Sequence, residues 1–279
     1  MRSLYTISAT FFTFMDIRMA RREFKFRLDG ERAEKVLEEI RKRLPGDVNG
    51  AAGAYPIVSE YFDTDERDAY WERDRKLANR RKLRVRIYGT LTGTIPPSAF
   101  LEVKHKRDGV GVKRRLKLPV EVVTAPGFDV GEWIAREMPN MTGRIERTLA
   151  EEILLLIENR GIKPAVQMRY DRLAFEGPDD VRITFDSGIK ARTERQPLRP
   201  DDQEINLPVL PEGECIMEVK LFGAAPYWIR DIAASYRLIK TPFSKYCTAL
   251  EKHDPLIRKA MERRNRKAMS PSTKTAVCA

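Results

Sequence analysis

Lysine and arginine recur at every second residue of several separate segments, with aliphatic residues between them, and few folds accept that pattern. Lys82, Arg84 and Arg86 interleave with Leu83, Val85 and Ile87, and Lys113, Arg115 and Lys117 repeat the spacing. Glu102, Lys104 and Lys106 alternate with Leu101 and Val103, Glu218 and Lys220 with Met217, Val219 and Leu221, and Arg182, Thr184 and Asp186 with Ile183 and Phe185. Successive side chains on a strand point to opposite faces, so each segment reads as a strand with one apolar and one charged face. A half-solvated antiparallel sheet accounts for any one of them. Like charges in register on neighbouring strands repel, however, so a whole sheet built this way calls for an anion. The expected architecture is antiparallel α+β, and if the sheet closes into a barrel with its apolar faces outward under helices, the charged faces converge on a lumen.

The intervening segments agree with an antiparallel layout. Residues 24–28 alternate as a strand that Asp29-Gly30 ends, and 31–43 carries Ala33, Val36, Leu37 and Ile40 at helical spacing before Pro45-Gly46. Strands are expected at 55–62 and 83–88, and a hairpin at 100–107 and 110–120 about Asp108-Gly109. Helices are expected at 131–137 and 145–159, a strand pair at 166–175 and 181–185, a proline-rich loop over 196–212, a strand at 214–221, and helices at 225–238 and 245–252, Ser244 capping the last.

Charge is concentrated in the same strands. Between Arg80 and Lys117 twelve basic residues face only Glu102 and Asp108, an excess close to the net +11 of the whole 279-residue chain. That balance predicts attraction to a polyanion, with nucleic acid, an anionic membrane surface and a phosphate-rich small molecule all open. No GxxxxGK[ST] loop is present, so phosphate binding falls to side chains, Arg by paired hydrogen bonds and Lys as a mobile charge. His105 and His253 are the only histidines, which leaves little material for a histidine metal cage or a Ser-His-Asp relay. Cys215, Cys247 and Cys278 show no CxxC spacing, which argues against a disulfide framework or thiolate zinc site and for a reducing, cytoplasmic setting.

The ends read differently from the middle. Residues 4–14 are apolar but broken by Thr6, Ser8, Thr10 and Thr13, short of the ~20 residues of a membrane-spanning helix; 1–20 is expected to be a loose extension. Arg258, Lys259, Arg263, Arg264, Arg266 and Lys267 precede a Ser/Thr/Pro tail, so 254–279 is expected to be a basic helix that frays into disorder. The domain itself is expected to span 21–253.

Arg21-Arg22-Glu23-Phe24-Lys25, Ser59-Glu60-Tyr61-Phe62-Asp63-Thr64, Arg84-Val85-Arg86-Ile87-Tyr88-Gly89, Leu101-Glu102-Val103-Lys104, Tyr170-Asp171-Arg172, Arg182-Ile183-Thr184-Phe185-Asp186, Met217-Glu218-Val219-Lys220 and Ser244-Lys245-Tyr246 follow one another in this order. Together they resemble the VTC domain of polyphosphate polymerases, within the CYTH or triphosphate tunnel superfamily, from about Arg21 to about Lys252. The resemblance implies an eight-stranded antiparallel barrel, a basic tunnel that binds triphosphate, and transfer of the γ-phosphoryl of ATP to a growing polyphosphate chain with Mn²⁺ or Mg²⁺. It implies catalytic roles for Arg84, Arg86, Lys104, Arg172 and Lys245, substrate contacts from Lys25, Arg182, Lys220 and Tyr61, and metal ligation by Glu218, with Glu23 either a second metal ligand or the group that orients Lys25. Lys82, Lys113 and Arg115 join the substrate contacts on the parity of their strands. It further implies a membrane-protein partner and peripheral association with a membrane, and no specific nucleic acid.

Superfamily hydrolases open with ExExK, whereas Arg21 stands in place of the first glutamate. One carboxylate fewer weakens metal-activated attack by water, which favours the polymerase over a triphosphatase. A triphosphatase remains the alternative and a non-enzymatic polyanion or nucleic-acid binder the third reading. The third is ranked last because aromatic platforms interleaved with the basic strand residues are not evident.

Overall fold

The computed structural model describes residues 21–47, 53–89, 97–108, 110–178 and 180–269. The expected extension 1–20, the end of the tail and Gly109 of the hairpin turn lie outside them. The strands are β1 (Arg21–Leu28), β2 (Tyr55–Asp63), β3 (Asn79–Tyr88), β4 (Ser98–Arg107), β5 (Val110–Leu118), β6 (Lys163–Glu176), β7 (Arg182–Arg192), the two-residue β8 (Leu207–Pro208) and β9 (Cys215–Phe222). The helices are α1 (Gly30–Arg41), α2 (Asp68–Asp74), α3 (Val120–Thr124), α4 (Val130–Glu137), α5 (Arg144–Arg160), α6 (Tyr227–Ser235), α7 (Lys245–His253) and α8 (Pro255–Met269). None of the described helices is long and apolar enough to cross a membrane.

Eight strands form one strongly curled antiparallel sheet in the order β1-β9-β7-β6-β2-β3-β4-β5, with β8 paired to β7 outside that path. The expectation of a closed barrel is corrected here: β1 and β5 are the two ends of the sheet and do not pair, so the sheet is open. Alternation of side chains fixes which face turns inward, but closure also needs tilt and stagger to bring the end strands into hydrogen-bonding register.

Parity placed the apolar face correctly. Leu83, Val85, Ile87, Leu101 and Val103 pack outward against Val130, Trp133 and Ile134 of α4 and Leu149, Ala150 and Ile153 of α5. Ile183, Phe185, Met217, Val219 and Leu221 do the same against Val36 and Ile40 of α1 and Ile232 of α6. Each such fully buried aliphatic side chain contributes about 1.5–3 kcal/mol. Asp29 accepts from the Arg32 amide at the start of α1, so the residue read as a strand terminator is also the helix cap.

Three local expectations change. Residues 110–120 are not one strand: β5 stops at Leu118, and Pro119, which has no N–H for the ladder, leads into α3. Strand β7 runs on to Arg192, past Gly188 at φ 57°, where the β6–β7 register slips between Arg169 and Asp171. Helix α2 was not foreseen, because seven residues are too few to show a helical period.

Helix α7 lies on the inner face rather than outside. Ser244 caps it, accepting from the Cys247 amide, and Tyr246, Cys247 and Leu250 join Tyr61, Met168 and Tyr170 in one apolar cluster. The Tyr246 hydroxyl donates to Asp63, a buried carboxylate that also accepts from the amides of Thr64 and Ala69, each at 2.8 Å.

Candidate functional site

Antiparallel register assembles the inner face in rows. Tyr61 on β2 opposes Arg84 on β3, which opposes Glu102 on β4, which opposes Arg115 on β5. The next row reads Ser59, Arg86, Phe100 and Lys117. Across the sheet, Lys25 on β1 opposes Glu218 on β9, which opposes Thr184 on β7, and Arg172 on β6 opposes Asp186 on β7. Charged residues far apart in sequence thus line one groove.

Three carboxylates are held among these cations. Glu102, 1% exposed, accepts from Arg84 and, at 3.1 Å, from Lys113. Asp186, wholly buried, accepts from Arg172 at 2.6 and 2.8 Å and from Lys245. Glu218 meets Lys220 and, at 3.4 Å, Lys25, whose Nζ is also 3.0 Å from Glu23 and donates to the Phe243 carbonyl. Burial alone would raise the pKa of Glu102, Asp186 and Glu218, yet their cationic neighbours hold all three well below the usual carboxylate range.

The cations still outnumber the anions. Arg86, 5% exposed, forms no salt bridge among the described residues; its Nε donates to Ser59 Oγ at 3.1 Å, and its guanidinium lies over the rings of Tyr88 and Tyr170. Glu102, in the neighbouring row, acts on this cation across space without bonding it, and burial of the charge still carries a desolvation cost. The surplus registers on nearby phenols. Burial would raise the Tyr61 pKa, but Arg84, Arg86 and Lys245 bring it down to about 8, and Arg86 does the same to Tyr88, also about 8. Lys245 shifts downward, from burial first and despite Asp186.

The expected site residues divide by position. Lys25, Tyr61, Arg84, Arg86, Arg172, Lys220 and Lys245 come together with Glu23 and Glu218 along the groove. Lys104 reaches across it, 3.7 Å from Glu23, and with Lys113 and Arg115 forms the more open side. Lys82 is covered by α7, its Nζ 3.2 Å from Cys247 Sγ and over the Tyr246 ring. Arg182 shares the inner parity, but its guanidinium is engaged by Asp47 and Glu176.

Asp186 and Glu102 as counter-ions, and Tyr88, Tyr170 and Phe100 as groove residues, were missed. Strand parity alone carried that signal. The judgement that aromatic platforms are lacking is also corrected: Tyr88 and Phe100 pack edge to face, centroids 5.9 Å apart, beside Arg86, and Arg115 lies 4.4 Å over the Phe100 ring.

Among the described residues no group of three or more His, Cys, Asp and Glu is arranged to hold a metal ion. The donors that are present nevertheless fit a hard cation shared with substrate. Glu23 and Glu218 converge on one point at Lys25 Nζ, and the Thr184 hydroxyl, next to Glu218 in register, is buried with no hydrogen-bond partner among the described residues. One or two carboxylates completed by substrate phosphates is the usual set for Mg²⁺.

The VTC domain family model matches residues 20–253. Subunit 4 of the vacuolar transporter chaperone complex of Schizosaccharomyces pombe is 30% identical over 223 residues, covering 68% of this chain and 30% of the relative, so the chain spans under a third of that protein's length. Among solved structures, the PH1819 protein of Pyrococcus horikoshii aligns over 83% of this chain and 100% of its own at 13% identity, with a TM-score of 0.44. HpAC1 of Hippeastrum, an adenylyl cyclase candidate with a dominant triphosphatase activity, aligns over 85% and 99% at 15% identity, with a TM-score of 0.49.

Proposed function

The chain belongs to the VTC domain family, and from that premise we propose that it is a polyphosphate polymerase, moving the γ-phosphoryl of ATP onto a growing polyphosphate chain held in its basic groove. The observation that supports this reading is Arg86, a buried guanidinium that no carboxylate bonds directly among the described residues, set in a row of cations that a string of phosphates would neutralise.

Phosphoryl transfer needs positioning and charge neutralisation more than covalent help from the protein, because negative charge spreads over the equatorial oxygens in the transition state. In the proposed step a terminal oxygen of the acceptor bonds to the γ-phosphorus, the bridge to the β-phosphate breaks, and ADP leaves. Arg84, Arg86, Arg172 and Lys245 would hold the transferring group, with Lys104 and Lys25 beside it. Lys220, Lys113, Arg115 and Tyr61 would hold the flanking phosphates, and Lys82 and Arg182 the outer reaches. Glu218 and Glu23 would hold Mn²⁺ or Mg²⁺, which when bound adds positive charge against the phosphate oxygens.

Chain growth is favoured over hydrolysis by the state of the carboxylates. Glu102, Asp186 and Glu218 are kept ionised by bound cations and are poor bases for water, whereas an acceptor phosphate is already an anionic nucleophile. The relative's description as a complex subunit supports a protein partner, and we extend the proposal to a membrane-protein partner and action at the cytoplasmic side.

Incubation of the protein with ATP and Mn²⁺ should yield acid-stable, long-chain phosphate and ADP in step. Release of orthophosphate from ATP or tripolyphosphate with no chain growth would replace this reading by the triphosphatase. No turnover together with strongly salt-dependent oligonucleotide binding would replace it by the polyanion binder.

A further inference from the structure

Two loops meet at one end of the sheet, away from the groove. The Asp108 amide, in the β4–β5 turn, donates to the Ala78 carbonyl at 3.1 Å, so residues 75–78, which link α2 to β3, lie against the tip of the hairpin. Three aliphatic side chains are exposed there: Val110 by 60%, Val112 by 49% and Leu77 by 45%. Strand parity puts the two valines on the apolar face of β5 with Leu116 and Leu118, opposite Arg107 and His105 of β4. Leu83, Val103 and Leu116 on that face are buried beside α4 and α5, whereas the valines beyond them are left bare. Arg75, Lys76, Lys106 and Arg107 stand exposed around the same end, and Asp108 is the only acid within 75–82 or 103–114. Arg81 and Arg114, on the face of the valines, are both paired with Glu152 of α5.

We infer that this end of the molecule, with Leu77, Val110 and Val112 ringed by Arg75, Lys76, Lys106 and Arg107, docks on an anionic lipid surface. The cations alone would serve any polyanion, but bare aliphatic tips gain nothing from the phosphates of a nucleic acid. A second copy of the chain would set the same cations against each other. Three aliphatic side chains on two turns also fall short of the roughly 800 Å² that a stable protein interface takes from each partner. A bilayer answers both parts of the patch: its anionic headgroups attract the cations, and the tips enter the acyl boundary beneath them. Lys104 and Lys113, on the other face of the hairpin, stay with the groove through Glu23 and Glu102. The docking surface goes beyond the reaction proposed for the groove and does not depend on it.

The test is flotation of the full chain with vesicles of phosphatidylcholine alone and of phosphatidylcholine with phosphatidylserine, for the parent and two double variants, Val110→Ser with Val112→Ser and Lys76→Gln with Arg107→Gln. All four side chains are exposed and outside the groove, so both variants should keep the parent's unfolding midpoint. The parent should float with the anionic vesicles only. The valine variant should bind them roughly tenfold more weakly at the same salt, and the charge variant about tenfold more weakly or worse. A parent that does not float overturns the inference. So does a valine variant that binds as the parent does, since that leaves only diffuse attraction of a basic chain. Binding unchanged in both variants moves the contact to another basic surface, such as α8, and overturns it equally. None of these outcomes bears on turnover of ATP or tripolyphosphate, so the reading of the groove is tested apart from them.

Discussion

Arg84 and Glu102 face each other on adjacent strands, and a single carboxylate oxygen of Glu102 accepts from both Nε and Nη2 of the guanidinium, at 2.8 and 2.6 Å. The pair makes the groove foldable without ligand by offsetting one cation of the row. Glu102→Gln should therefore cost about 3 kcal/mol of stability, and saturating tripolyphosphate should recover more stability in the variant than in the parent. Denaturant midpoints with and without the ligand check this, and equal midpoints for the two proteins would contradict it.

Arg86 differs, a buried cation bonded to Ser59 and lying over aromatic rings, with Glu102 acting on it only across space. Arg86→Met should reduce polymerisation by about a hundredfold or more, while stability changes by no more than about 1 kcal/mol, because the lost attraction to Glu102 offsets the relief of a buried charge. Rates of ADP formation and the unfolding midpoint together decide the matter. A large loss of stability would show that Arg86 serves the fold.

Tyr61 and Tyr88 are expected to ionise near pH 8, some two units below an ordinary phenol. Since their folded values lie below the unfolded one, folding stability rises between about pH 8 and 10; the contribution is complete above 10 and lost as pH falls through 8. Tripolyphosphate neutralises the same cations and should move the tyrosinate absorption midpoint upward. Tyr61→Phe and Tyr88→Phe should each remove part of the band, and a midpoint unmoved by ligand would place the anion elsewhere.

Much of this arrangement was legible in the sequence, for a definite reason. Lys82, Arg84 and Arg86 alternate with Leu83, Val85 and Ile87, and period-two alternation fixes facing without knowledge of the partner strands. It does not fix pairing, so Asp186 was visible as an inward residue but not as the counter-ion of both Arg172 and Lys245. Lys245 reaches Asp186 only because Tyr246, bound to Asp63, holds α7 against the inner face, a contact between residues 183 positions apart. Closure failed for the same reason: no residue on β1 or β5 records whether the two strands meet.

The unpaired margins at β1 and β5 have a mechanical consequence. A sealed tube admits a long polymer only by its tip, whereas among the described residues this trough is spanned on that side by the Glu23–Lys104 contact, an ion pair between long, partly exposed side chains. Such a latch opens at little expense. On the proposed function, a strand of many phosphates would be laid in broadside and would slip by single steps while still held along the trough.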